Sequence, residues 1–448
     1  MINKQKFEKP INTKLVIMAM LALLPFLYQF DVVKICKVDV PFGDQWDFVP
    51  LLEKSYSGPV TIGDLFAQHN EHRLFFPRIA MLILAHQSKW KIKSELGLIQ
   101  LISLLTFCIL IYHAYKFLKS NSEIKWFYAL PLISLLFFCL SQWENWIWGW
   151  QIQVVLSIFS AVFGFSILCE KKVGFIKICI SLLLGTLSFF SYSNGFLFFI
   201  IGIALLFLLK YENNFKKYFS IVFFFAYSSI VFILYVSGYK NPANHPSIFS
   251  FANDPAEFIK FFFKYLGAAV TGPRSALYVG VLGVLIFFII MVFILRNKIH
   301  PSEIIFWGGL AFYSMGSAFI SGIGRSGFGS GQAMSPRYAS FSILFWISIF
   351  VLIVKTIDLL NLKVSLVNNF FILISLITIL TVSYLAVNMN AIGTISSFER
   401  KNTLARAKLE LLKEARDPEI LKTIYPPGAF GVERQLAALK RLKLSVFR

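Results

Sequence analysis

Eleven stretches of the chain are apolar on every side rather than along one stripe: near 14–33, 96–118, 126–142, 150–169, 173–191, 195–209, 217–237, 276–296, 303–323, 338–356 and 366–388. An unbroken apolar run of about 20 residues is long enough to cross roughly 30 Å of hydrocarbon. Inside lipid the backbone must satisfy its own hydrogen bonds, so each run is expected as an α-helix. The pattern predicts an all-α polytopic membrane protein with about eleven transmembrane helices. Leu74 to Ala85 is apolar too, but it is short and carries Arg78, so it is read as a helix lying in the interface. The first run follows Lys4, Lys6, Lys9 and Lys14 and lacks a small-residue cleavage site, which makes it a retained signal anchor.

Composition agrees with the pattern. Of 448 residues, 57% are hydrophobic and 15% charged, and a chain so poor in polar residues cannot cover its own surface in water. A water-soluble monomer is excluded. The net charge of +20 would raise the question of nucleic acid in a soluble protein. Here the Lys and Arg lie mostly in short connections, where they set orientation and meet lipid headgroups, and no nucleic-acid surface is indicated. With the N-terminus inside, the inner segments carry seventeen Lys and Arg: Lys4, Lys6, Lys9, Lys14, Lys116, Lys119, Lys125, Lys171, Lys172, Lys177, Lys210, Lys216, Lys217, Arg296, Lys298, Lys355 and Lys363. The three short outer turns carry only Arg325 and Arg337. The expected layout is therefore a transmembrane domain over 1–388, with an external first loop at 34–95 containing short helices, and an external tail over 389–448. The tail is itself basic, with twelve Lys and Arg against six Asp and Glu, but long segments largely escape the charge rule. Five cysteines without CxxC or Cys/His spacing give neither a disulfide framework nor a zinc site.

The unusual polar clusters fall on the predicted outer face. The first loop contains Gly43-Asp44-Gln45-Trp46-Asp47, and carboxylates three apart share one face of a helical turn, as a proton acceptor and its orienting partner require. The bland alternative is a solvated loop whose Asp caps a helix. His69-Asn70-Glu71-His72-Arg73 precedes the interfacial stretch and reads either as a polar turn with Asn70 as cap or as ligand contacts; it lacks HExxH spacing and a third metal ligand. Gln142-Trp143-Glu144-Asn145-Trp146-Ile147-Trp148-Gly149-Trp150-Gln151-Ile152-Gln153 could be an interfacial aromatic belt. A belt does not need the interleaved amides and carboxylate, whereas a sugar ring does, so carbohydrate contact is the sharper reading. Near later span ends come Ser191-Tyr192-Ser193-Asn194-Gly195 and the stretch Gly324 to Tyr338. Gly322, Gly324 and Gly327 spell GxGxxG, but no strand precedes them and a dinucleotide site is rejected. Arg325 and Arg337 are available there to a phosphate or to lipid headgroups. The span centres lack Asp, Glu, Lys and Arg, which disfavours a coupled pump.

With GDQWD, NEHR and FPR, QWEN, QIQ, SNG, and GRSGFG followed by SPRY, the chain resembles a large group of bacterial multispanning proteins whose architecture looks like the GT-C class of glycosyltransferases. The resemblance implies an inner-membrane enzyme that moves a sugar from a polyprenyl-phosphate donor to a surface glycan such as the O-antigen of lipopolysaccharide on the periplasmic side; no motif for a cofactor accompanies it, and the sequence does not fix a metal requirement. It implies a catalytic carboxylate in the first external loop, at Asp44 or Asp47, and inversion at the anomeric carbon. Candidate substrate-binding residues are His69, Glu71, His72, Arg73, Arg78, Trp143, Glu144, Asn145, Trp148, Gln151, Asn194, Arg325, Gln332, Arg337 and Tyr338; among them Arg73, Arg325 or Arg337 would meet the departing phosphate. An O-antigen polymerase or ligase, and a flippase for lipid-linked sugars, are the alternatives.

Overall fold

The computed structural model describes residues 13–119, 126–170, 174–209, 211, 213–242, 246, 250–296, 301–360, 366–413, 418–425 and 429–448. Lys4, Lys6, Lys9, Lys125, Lys171, Lys172, Lys210, Lys298 and Lys363, which carry part of the charge count, lie outside the described residues.

The cores of the apolar runs are helical. α1 (Thr13–Cys36) leads into a first loop holding α2 (Val49–Ser57), α3 (Ile62–Phe66), the two-residue strands β1 (Gln68–His69) and β2 (His72–Arg73), and α4 (Phe75–Ser88). The bundle continues through α5 (Ile92–Leu118), α6 (Leu130–Phe137), α7 (Trp143–Ile147), α8 (Ile152–Leu168), α9 (Phe175–Phe189), α10 (Leu197–Leu208) and α11 (Asn214–Val236). A second long loop carries α12 (Ser250–Asn253) and α13 (Pro255–Gly267), followed by α14 (Ala276–Arg296), α15 (Pro301–Arg325) and α16 (Pro336–Leu360). The chain closes with α17 (Leu366–Lys413), α18 (Pro418–Ile424) and α19 (Ala429–Leu442).

Among the described residues nine helices are long and apolar enough to cross a membrane, against the eleven expected. The two that fall short are α9, with 15 residues, and the helical stretch Ser193–Leu208 that includes α10. At 1.5 Å per residue, 15 residues span about 22 Å, less than the hydrocarbon core. The turn between them is correspondingly sunk into the protein, with Ser191, Tyr192 and Asn194 all buried. The apolar stretch at 74–85 forms the 14-residue α4, too short to cross, as the interfacial reading expects.

Burial sorts the helices into layers. Along α16, 94% of the apolar window is buried and along α15 78%, so these two form the centre of the bundle. The corresponding figures for α1, α11, α14 and the membrane part of α17 are 22–28%, leaving them on the lipid-facing rim. No break marks position 388: α17 runs through it as one helix of 48 residues, and beyond it α19 packs on α2 of the first loop.

Candidate active site

The acidic segment forms a 3-10 helix, Gly43–Phe48. With three residues per turn, positions i and i+3 eclipse, so Asp44 and Asp47 share a face. Gly43 enters it at φ +52°, and a Cβ there would stand 3.0 Å from the Trp148 ring, so a side chain is opposed by both backbone and space. Trp148 in turn donates its indole N–H to the Phe42 carbonyl at 2.9 Å. Gln45 points the other way: its Oε1 accepts from the Phe42 N–H at 3.2 Å and its Nε2 donates to Glu95 Oε2 at 2.6 Å. The second Glu95 oxygen accepts from Trp90 Nε1 at 2.8 Å, and the carboxyl is fully buried. Gly149 lies against it so closely that a Cβ would fall 1.8 Å from Glu95 Oε2. One buried carboxyl at the head of α5 therefore pins the acidic turn.

The polar cluster after it is a β-hairpin, not a helix cap. His69 pairs with His72 and Gln68 with Arg73 across a two-residue turn, and Asn70 sits at φ +49°, a left-handed conformation that Asn tolerates better than most residues. This hairpin aims three side chains inward. His69 Nε2 lies 3.6 Å from Asp44 Oδ2, and its ring meets Trp150 edge-on at 5.0 Å. His72 packs on Tyr192 at 4.2 Å and its Nδ1 accepts from the Ser193 N–H at 3.3 Å. Glu71 forms an ion pair with Arg325 and lies 3.5 Å from His72 Nε2.

These neighbours set the charge states. Burial pushes Asp44 up, but the His69 imidazole beside it, with the charge of Arg337, holds the carboxyl below its ordinary value. Asp47 goes the other way, raised by burial that the hydrogen bond from Tyr425 only partly offsets. Glu71 is also opposed by burial, yet His72 and Arg325 bring it down to about 2. Burial lowers His72 to about 4, with Arg325 acting in the same direction and Glu71 against it.

Beside this cluster lies a cavity of about 350 Å³. Its lining combines polar side chains, among them Glu71, His72, Tyr192, Asn194, Arg325 and Tyr338, with the apolar Phe189, Phe196, Phe232, Val236, Ile320 and Ile323. Phe232 and Val236 belong to the rim helix α11, so the apolar wall reaches the lipid-facing layer.

Other candidates prove to be scaffold. Arg73 donates from Nε to the Tyr235 carbonyl at 2.6 Å and from Nη1 to Phe66 at 2.9 Å, and also to Ser237. Arg78 is spent likewise on the carbonyls of Leu65, at 3.0 Å, and Ala67. Arg73 therefore holds backbone around the hairpin through all three of its nitrogens, which corrects the expectation of a phosphate contact from it, and Arg78 braces the same region through Nη1. Trp146, Trp148 and Trp150 are buried, so these three offer no face to a sugar and form no lipid belt; Trp143, partly buried, is covered by Arg400 at 4.8 Å. Asn145 is buried and ties the Arg337 carbonyl, at 3.0 Å, to Ser340, at 2.6 Å. Asn194 lines the cavity with its amide donating to Ser317 at 2.5 Å and Ser321 at 3.2 Å. Tyr338 stacks on Tyr265 at 5.2 Å. Gln151 is buried 1% exposed with neither end of its amide hydrogen-bonded to protein, whereas Gln332 sits partly exposed in the 3-10 turn Ser330–Met334. Arg337 donates from Nε to Ser335 at 2.9 Å, within electrostatic reach of both Asp44 and Glu144.

Three residues of the site escaped the sequence reading. Glu95 looks like an ordinary polar residue before a span. Arg400 donates to Glu144 at 3.2 Å and lies 3.9 Å over the Phe42 ring; Tyr425 donates to Asp47 Oδ1 at 2.7 Å. Both come from the tail, hundreds of positions away in sequence, and carry no motif. The contact between loop and hairpin also gathers a set that spacing alone did not reveal: ligand atoms of Asp44, Asp47 and His69 lie within 4.8 Å of one another. Two carboxylates and an imidazole are a donor set suited to a divalent cation with open positions.

No protein-family model matches the sequence, and neither does any curated protein. Among solved structures, the chain is similar to the archaeal oligosaccharyltransferase AglB from Archaeoglobus fulgidus in complex with an inhibitory peptide and a dolichol-phosphate, at 12% identity and a TM-score of 0.40 over 85% of this chain. It spans 56% of that protein's length. It is also similar to ArnT from Cupriavidus metallidurans, in the apo state at 10% identity and a TM-score of 0.46, covering 87% of this chain and 78% of that one. For ArnT bound to undecaprenyl phosphate the values are 10%, 0.42, 96% and 77%. Likenesses this loose assign no activity.

Proposed function

We propose that this protein is an integral glycosyltransferase of the GT-C kind, taking a sugar from a polyprenyl-phosphate donor and passing it to a hydroxyl of a lipid-linked or surface glycan outside the bacterial inner membrane. One observation carries the reading: a cavity lined by Arg325 and His72 and by apolar side chains of the rim helix α11 opens next to the hairpin, and the ionised carboxylate of Asp44 lies within electrostatic reach of that same His72. That combination suits a ligand with a hydrocarbon tail and an anionic head. A polyprenyl chain would lie against Phe196, Phe232 and Val236, with its phosphate toward Arg325 and the sugar toward Asp44.

The chemistry follows from the same arrangement. The acceptor oxygen attacks the anomeric carbon and forms the new C–O bond, while the bond from that carbon to the phosphate oxygen breaks and its electron pair leaves with the phosphate. The acceptor's proton passes to an Asp44 oxygen. Arg325 and Arg337 supply charge-assisted hydrogen bonds to the departing phosphate, where negative charge grows. A single displacement of this kind inverts the anomeric centre.

Binding tests the reading directly. Undecaprenyl phosphate titrated into the purified protein in detergent, followed by native mass spectrometry, is expected to bind well above undecaprenol, which lacks the phosphate. Arg325→Ala should weaken the phosphate form roughly 10- to 100-fold, the worth of a charge-assisted hydrogen bond, and Ile320→Trp should block the cavity for both. Equal affinity for the phosphate and the alcohol, unchanged in both variants, would contradict the reading.

A further inference from the structure

The tail is fastened to the first loop and the 143–150 turn at contacts spread along its length. Arg400, on α17, reaches Glu144 and stacks over Phe42, the residue that precedes the acidic turn. Arg441, on α19, pairs with Glu53 of α2. At the chain end Arg448 donates to Asp39 Oδ2 at 2.6 Å, the same carboxylate whose Oδ1 accepts the first N–H of α5 at 2.9 Å. Ser445 adds a backbone bond to the Lys89 carbonyl at 3.1 Å. Tyr425 sits within this strap, after α18, and its hydroxyl donates to Asp47 Oδ1 at 2.7 Å.

That hydrogen bond distinguishes the two carboxylates. Ligand atoms of Asp44, Asp47 and His69 lie within 4.8 Å of one another, and two acids so close compete for one role. Asp47 has an oxygen occupied by a hydroxyl donor from the tail. Asp44 faces the hairpin, with His69 beside it and the charge of Arg337 in reach. We propose that Tyr425 is a positioning residue of the transfer: by holding the Asp47 carboxylate toward the tail, it leaves Asp44 as the group that accepts the acceptor's proton. The inference rests on the glycosyl-transfer reading and assigns within it which carboxylate is the base, with the tail as a wall of the site.

The test follows product formation in cells producing each variant at matched membrane levels. Surface glycans are extracted at intervals after induction, and the glycosyl mass increment relative to cells lacking the chain is measured by mass spectrometry. Tyr425→Phe keeps the ring and loses only the hydroxyl; it should slow product appearance about tenfold, as loss of one hydrogen bond to a charged group predicts, while undecaprenyl phosphate binds as in the wild type. Asp47→Asn should slow it comparably, and the double variant should be no slower than the slower single, because the hydroxyl acts only through Asp47. Asp44→Asn should give no product. Wild-type rates in Tyr425→Phe, or a double variant slowed by the product of the two single effects, would overturn the inference, as would an active Asp44→Asn beside an inactive Asp47→Asn. Wild-type product with Asp44→Asn and Asp47→Asn combined would take down the transfer reading itself. An inactive Asp44→Asn with a fully active Tyr425→Phe removes only the role of the tail.

Discussion

Replacing Glu95 by Gln removes one oxygen from a carboxyl whose two oxygens accept from Trp90 Nε1 and Gln45 Nε2. The new amide offers one acceptor and two donors. Trp90 can only donate, so it must keep the remaining oxygen, and the amide nitrogen then faces the nitrogen of Gln45. Gln45 cannot escape by turning over. Its Oε1 already accepts from the Phe42 N–H, and a flip moves the clash of donors to that backbone group. One buried donor is left unpaired in either arrangement, which costs about 1–3 kcal/mol. Since the affected contacts hold 42–49 against α5 and Gly149, the cost should fall on local opening of this turn. About 2 kcal/mol corresponds to roughly 30-fold faster opening, because every 1.4 kcal/mol is a factor of ten. Hydrogen exchange of the 43–49 amides, read by mass spectrometry on purified protein, should accelerate by that order in Glu95→Gln, with the amides of α16 unchanged as an internal reference. Product formation should fall with it, although Glu95 touches no reacting atom in this account. Exchange and activity both at wild-type levels would refute the claim that this carboxyl holds the acidic turn.

Replacing either Arg325 or Arg337 by Lys keeps the charge but loses the planar fork, so product formation should fall while membrane insertion stays normal; full activity in both would leave them only their contacts within the protein, such as those to Glu71 and Ser335. A reporter fused after Asn388 is expected to be active outside the cytoplasm, and one active only inside would break the orientation derived from the Lys and Arg count. Acid should loosen the site: His72, lowered to about 4, and Glu71, lowered to about 2, both bind fewer protons folded than unfolded, so the stability they contribute is lost as pH falls from about 6.5 toward 2. Thermal unfolding midpoints should drop across that range, and His72→Gln should flatten the upper part of the profile. Dialysis against EDTA should leave product formation unchanged; loss restored by Mg²⁺ or Mn²⁺ would reassign Asp44, Asp47 and His69 to a cation.

The membrane architecture was legible because lipid leaves a chain few choices: a long run without charge has to be a helix, and its length decides whether it crosses. That logic marked all eleven segments and the short α4. At 173–191 and 195–209 the helices are shorter than the apolar runs, because those runs include turn residues such as Ser191 that fold into the interior instead of extending the helix. In the site, local spacing found the acidic turn, since i and i+3 meet in any helical turn. It missed what distance in sequence conceals: His69 beside Asp44, Tyr425 on Asp47 and Arg400 on Glu144. It also took Arg73 for a ligand contact because a sequence does not reveal that backbone carbonyls have claimed it. Tryptophans at a predicted membrane edge read as belt or sugar platform, whereas Trp148 is buried and its N–H braces the acidic turn.

The central claim is that the Asp44 carboxylate accepts a proton during glycosyl transfer. Its most direct measurement is the surface-glycan mass spectrum of cells producing Asp44→Asn at the wild-type membrane level, since the amide keeps the shape and cannot take the proton. A general base contributes about 10²- to 10⁴-fold, so the account predicts no detectable glycosyl increment with undecaprenyl phosphate binding retained. An increment equal to that of the wild type would contradict it and leave a flippase or binding role as the better explanation.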